Sequence, residues 1–174
     1  MQQFDRAMPK VLRHLNGLYP RWDDAGMDFE PYSEFLSEEE TRIWIRAWTG
    51  NTSLDGSQFL VFGQDGSGGR AMFWCVRPNA SVLEQPITFF SSEGDVGVIA
   101  INFADYLWLL AGGYGPFEAL AYSGPKTEAH EADPRFTAFA TLNSGSKKKT
   151  PQEVLSKAGA EFPNFRDDML SLCR

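Results

Sequence analysis

Histidine and cysteine are scarce in this chain. It has two of each: His14, His130, Cys75 and Cys173. There is no His-Glu-x-x-His, no Cys-x-x-Cys and no mixed His/Cys/Asp cluster, which excludes the sequence patterns of zinc sites. The cysteines lie far apart and form no disulfide framework. No run of residues approaches the ~18 consecutive apolar positions of a membrane-spanning helix. Basic residues are outnumbered, 16 Lys and Arg against 23 Asp and Glu, for a net charge of −7. That excludes the basic footprint needed for nucleic acid or an anionic membrane surface. Met1-Gln2-Gln3-Phe4-Asp5 shows no basic stretch leading into an apolar one, so no secretory leader is expected. The expectation is a cytoplasmic protein with reduced thiols.

What the chain does have is apolar and aromatic substance. Hydrophobic residues make up 43% and aromatics 14%, enough for one substantial core, so residues 1–174 are expected to form a single domain. Acid is concentrated early. Asp23, Asp24, Asp28, Glu30, Glu34, Glu38, Glu39 and Glu40 fall within 18 positions. Such a balance serves solubility, and it also steers a basic partner, because complementary charge speeds encounter. Lys147-Lys148-Lys149 follows Asn143-Ser144-Gly145-Ser146, and residues 143–149 read as a flexible, solvated loop.

Local signals place the elements. Phe4, Met8, Val11, Leu12 and Leu15 share a helical face, with Pro9 fitting only in a first turn. Ser37-Glu38-Glu39-Glu40 is a capping box, followed by Ile43, Trp44, Ala47 and Trp48 on one expected face and Gly50 as a stop. Strands are expected at 58–62, 70–76, 86–91 and 96–101, separated by turn chemistry, as an antiparallel meander. Asn102 and Asp105 start an apolar helix over 103–111, and Pro116 opens a short turn. Thr150-Pro151-Gln152-Glu153 begins another helix, and Pro163 separates it from a last one over 164–172. The fold class is therefore α+β: a central, mostly antiparallel sheet flanked by helices.

No residue set carries recognisable chemistry. Gly63-Gln64-Asp65-Gly66-Ser67-Gly68-Gly69 leads into a strand, whereas a phosphate loop leads into a helix, and it lacks the Gly-Lys-Ser/Thr triplet. As a calcium loop it would need a glutamate where Val76 stands. It reads as a hairpin connection in which Asp65 closes an Asx turn. Ser91-Ser92-Glu93-Gly94-Asp95 reads as a turn whose acidic tip is free to meet a partner. Cys75, within a strand, reads as a small buried hydrophobe. Trp22, beside Asp23 and Asp24, is either an interface anchor or a pin for an irregular segment. No catalytic residue, metal ligand or cofactor is expected.

One ordered set of segments resembles the Smi1/Knr4-like (SUKH) superfamily. It comprises Phe62 to Gly69 with Phe73-Trp74, then Gln85 to Ala100 with its Ser-Glu-Gly turn. Phe103-Ala104-Asp105-Tyr106-Leu107-Trp108-Leu109-Leu110 and Gly115-Pro116-Phe117-Glu118 complete it, in about 60 of 174 residues. Upstream, Tyr32-Ser33-Glu34-Phe35-Leu36 is similar to a family segment but lacks its Leu-Pro. The resemblance implies a non-enzymatic protein-binding module of the bacterial type, an immunity protein that neutralises a toxin, often a nuclease. A regulatory or scaffolding module without a toxin partner is the alternative, and a metal- or small-molecule-dependent enzyme is a third. The expected partner is a protein, a basic toxin domain. The contact residues expected are Trp22, Asp23, Asp24, Asp28, Asp65, Glu93 and Asp95.

Overall fold

The computed structural model describes residues 6–19, 27–122 and 132–174. In chain order these form α1 (Lys10–Asn16), β1 (Glu30–Pro31), α2 (Glu38–Thr49), β2 (Phe59–Gln64), β3 (Arg70–Trp74), β4 (Ile87–Phe90) and β5 (Val96–Ala100). Then follow α3 (Phe103–Ala111), α4 (Pro116–Leu120), α5 (Pro134–Asn143), α6 (Pro151–Glu161) and α7 (Phe165–Ser171). The strands lie in space in the order β1-β2-β3-β4-β5, each neighbour antiparallel. This is the α+β class, and the meander, that the sequence predicts. Two single-residue bulges interrupt the ladders, at Phe62 opposite β3 and at Ile99 opposite β4, and bulges of this kind sharpen the local twist.

Both faces of the sheet are buried. Leu60, Phe62, Phe73 and Phe89 point to one face, where Tyr106, Leu109 and Leu110 of α3 cover them. Phe59, Val61, Met72 and Phe90 point to the other, against Ile45 of α2 and Phe165 and Met169 of α7. This is why Phe59-Leu60-Val61-Phe62 is uninterrupted apolar sequence and not an alternation. Each such side chain contributes about 1.5–3 kcal/mol by leaving water.

The helix starts follow their local signals. Ser37 Oγ accepts the Glu40 amide (3.2 Å), and the Glu40 carboxylate accepts the Ser37 amide (3.0 Å). Thr150 and Glu153 repeat this reciprocal cap at α6, and Asn102 Oδ1 accepts the Asp105 amide (2.8 Å) at α3. Gly50 ends α2 in the left-handed region (φ 65°). A Cβ there would lie 2.6 Å from the Arg174 carbonyl, and the Arg174 amide donates to Thr49 O at 2.9 Å. Arg174 thus seals the end of α2.

Several expectations need correction. The buried face of α2 is Thr41, Ile45 and Thr49, not the predicted stripe: Ile43 is 58% exposed, Ala47 is exposed, and Trp44 and Trp48 are half-buried. The two tryptophans dominated the pattern, yet they reach the core obliquely, against Phe90 at 5.9 and 4.9 Å between ring centroids. α1 starts after Pro9, which serves as its N-cap. α5 and the two-residue strand β1 carry no signal that the sequence reading found. Of the segment 143–149, Asn143 still belongs to α5, and 144–149 have no regular structure but are tied at two points. Trp108 Nε1 donates to Ser146 Oγ (2.9 Å), and Lys149 Nζ donates to the fully buried carboxylate of Asp105.

Candidate functional site

Meander order puts the β2–β3 and β4–β5 turns at the same end of the sheet. The residues between β2 and β3 wrap around Asp65. Its Oδ1 accepts the Ser67 amide (3.0 Å), the Ser67 hydroxyl (2.8 Å) and the Gly69 amide (2.7 Å). Asp65 is 4% exposed. Gly69 must be glycine, since a Cβ would come 2.6 Å from Phe89 Cζ and 2.9 Å from Asp65 Oδ2. The loop is thus a closed Asx-type turn. Asp65 faces inward and organises the tip, which corrects its expected place among the contact residues.

Of the other predicted acids, Asp28, Glu93 and Asp95 are exposed. Asp28 Oδ1 accepts the Gly66 amide (3.0 Å), fastening the segment before β1 to the hairpin tip. Glu93 and Asp95 are exposed on the β4–β5 turn, which closes through Ser91 N to Asp95 O (2.8 Å) and Asp95 N to Ser91 Oγ (3.0 Å). Ser92 Oγ donates to Ser67 Oγ (2.9 Å), so the two turns touch. Arg166 of α7 reaches Asp95 at 3.0 Å. Trp48 Nε1 donates to Ser91 O (2.8 Å) and fixes the turn against α2. The structure therefore brings Asp28, Asp65, Glu93 and Asp95 to one end of the sheet. Trp22, Asp23 and Asp24 lie outside the described residues.

Further residues belong to the same end: Glu30, already part of the early acidic run, and Tyr32, Gln64 and Arg70, which were not among the expected contacts. Tyr32 Oη donates to Gln64 Oε1 (2.6 Å), and Gln64 Nε2 donates to Glu30 Oε2 (2.9 Å). Burial raises the Tyr32 hydroxyl above its usual pKa. Arg70 opposes that shift, and Glu30 and Glu40 reinforce it. The Arg70 guanidinium stacks over Trp44 at 5.3 Å from the ring centroid, and its Nε is buried without a hydrogen-bond partner. A signal for these was present only in register. Arg70 pairs across from Gln64, and Glu30 pairs with the same residue on the other side.

The arrangement offers contact chemistry: exposed carboxylates, a half-buried Tyr and Trp, and one stacked guanidinium. Elsewhere, burial pushes the Cys75 thiol up to about 11, away from the reactive thiolate, with Arg6 opposing. Tyr19 and Tyr106 share a buried hydroxyl contact of 3.3 Å, and burial raises both. His14 is exposed on α1, and His130 lies outside the described residues. Among the described residues no group of three or more His, Cys, Asp or Glu is placed to hold a metal, and no helix is long and apolar enough to cross a membrane. Comparison with protein-family models, with curated proteins and with solved structures finds no match for this chain.

Proposed function

We propose that this protein is a binding module of the immunity type, which neutralises a basic toxin domain, a nuclease being the class its charge suits best, by covering that domain's site. The observation that carries the reading is the convergence of Asp28, Glu30, Glu93 and Asp95 at the turn end of the sheet, beside Tyr32 and Trp44. The residue-level resemblance to the Smi1/Knr4-like superfamily supports it from the sequence side. A nuclease site is basic because it holds phosphates, so an acidic face both steers the encounter and fits the site. The half-buried aromatics supply the anchor that surface charge alone does not, since interface affinity concentrates in Trp, Tyr and Arg.

The test is charge reversal at residues that make no core contacts. Glu93→Lys combined with Asp28→Lys changes the local field while the hairpin keeps its Asp65 turn. Reversing one exposed charge ~6 Å from a partner cation alters the pair energy by roughly 1.4 kcal/mol in water, about tenfold in association rate. Association with the captured toxin domain should slow by that order per site at low salt, and the difference should shrink as salt rises. Unchanged association kinetics would remove this face from the interface.

A further inference from the structure

A second feature lies along β5, next to the β4–β5 turn that carries Asp95. β5 is the last strand of the sheet, and α4, α6 and α7 pack around its outer edge. They leave a cleft of about 260 Å³ lined by Val98, Leu120, Tyr122, Leu155 and Phe162. Among the described residues that line it, Arg166 is the one charged side chain.

Two glycines line the cleft. At Gly97 in β5 a Cβ would lie 2.8 Å from Leu120 Cδ1, so any larger residue would have to push that side chain aside. Gly159, inside α6, is different. A Cβ there meets nothing within 4 Å, and its φ is not positive, so neither crowding nor backbone geometry calls for glycine. Glycine inside a helix nevertheless costs roughly 0.8–1.0 kcal/mol relative to alanine. Gly159 is exposed where it lines the cleft and leaves that part of the wall without a side chain.

The cleft's chemistry is one-sided. Its body is apolar, and Arg166 also lines it, paired among the described residues with Asp95, the two side chains 57% and 63% exposed. An exposed pair of this kind contributes about 0–1 kcal/mol, and a guanidinium has five donors, so a second carboxylate can share or replace Asp95. At ~30 Å³ per methylene- or water-sized group, the volume holds about eight or nine such groups.

We propose that this cleft binds a small amphipathic carboxylate, with an apolar body of about octanoate size against Val98, Leu155 and Phe162 and its carboxylate on Arg166. This goes beyond the toxin-binding reading; the two share only Asp95, the present partner of Arg166, and the octanoate test needs no toxin.

The test uses the full chain and octanoate as the probe, followed by amide and methyl NMR shifts, with 1-octanol as the uncharged control. Octanoate should produce saturable shifts at Val98, Leu155 and Gly159. Gly159→Leu fills the cleft and improves helix propensity, so it should fold at least as stably as the wild type yet weaken octanoate at least about tenfold. Arg166→Gln should weaken octanoate about tenfold, the scale of one lost charge-assisted hydrogen bond, and leave octanol unchanged. Absence of saturable shifts, or equal octanoate affinity in a folded Gly159→Leu protein, overturns the site. Equal loss of octanoate and octanol in Arg166→Gln overturns the carboxylate assignment.

Discussion

Replacing Lys149 by methionine should expose how strongly one buried charge depends on its partner. Asp105 is fully buried in α3. Its Oδ1 meets Lys149, while Oδ2 accepts no hydrogen bond and has Lys157 at 3.9 Å. Removing one member of a buried pair commonly costs about 3–5 kcal/mol, because the other charge is left desolvated. Lys157 softens the loss, and the Lys149 side chain is itself 27% exposed, which points to the lower end, about 3 kcal/mol. For a chain of this size that corresponds to a melting temperature lower by roughly 6–12 °C. Asp105→Asn with Lys149→Met removes both charges, and this double variant should recover at least about half of the loss. Urea unfolding followed by tryptophan fluorescence reads all three proteins, since Trp108 sits in the same helix and holds Ser146. A Lys149→Met protein within about 0.5 kcal/mol of wild type, or a double variant no more stable than the single, would refute the reasoning.

The remaining predictions concern the turn and the core thiol. Gly69→Ala should destabilise by about 1–3 kcal/mol through overlap with Phe89 and Asp65. Gly68→Ala, where a Cβ meets nothing and only the positive φ of 92° is penalised, should cost about 1 kcal/mol, and a reversed order in thermal melts contradicts the packing argument. Asp65→Ala should cost about 1–3 kcal/mol, because the buried Gly69 amide loses its acceptor. A thiol reagent at pH 8 should label Cys173 in the folded protein and Cys75 only after unfolding; rapid labelling of both would place Cys75 at the surface. Because burial raises Cys75 to about 11, the folded state holds its proton where the unfolded chain releases it. Stability contributed by this group is therefore full below the unfolded value of ~8.5 and falls as pH rises through about 11, and Cys75→Ala should flatten that decline.

The fold was legible where the signal was local. Ser37 with Glu40, and Thr150 with Glu153, state their helix starts within four residues, and both caps form as read. The glycine-rich stretch between two apolar strands is a hairpin for the same reason. What the sequence hid depends on distant partners. β1 is two residues long and exists because Glu30 and Pro31 pair with Gln64 and Gly63. α5 presents Phe136 and Ala140 to the core among threonines and alanines, too little contrast to mark a face. In α2, two large tryptophans outweighed Thr41, Ile45 and Thr49, although the smaller residues are the ones fully buried. Asp105 was legible as a capping residue only. Its second role, as counter-charge for Lys149, joins positions 44 residues apart.

The candidate face was legible in part for the same reason. Charge is additive along a chain, so the acidic turns stood out, and meander topology gathered them. The inward turn of Asp65 and the stacking of Arg70 on Trp44 depend on geometry that the letters do not carry.

The central claim is that this acidic end captures and blocks a basic protein. The most direct measurement is a pull-down from the source organism's lysate, at low and physiological salt, with wild type and the Asp28→Lys/Glu93→Lys variant, read by mass spectrometry and followed by activity assay of the captured protein. The account predicts a basic, toxin-like protein held by the wild type, released as salt rises, lost from the variant and inhibited at one-to-one stoichiometry. Recovery of no basic partner, or equal retention by the variant at both salts, would contradict it.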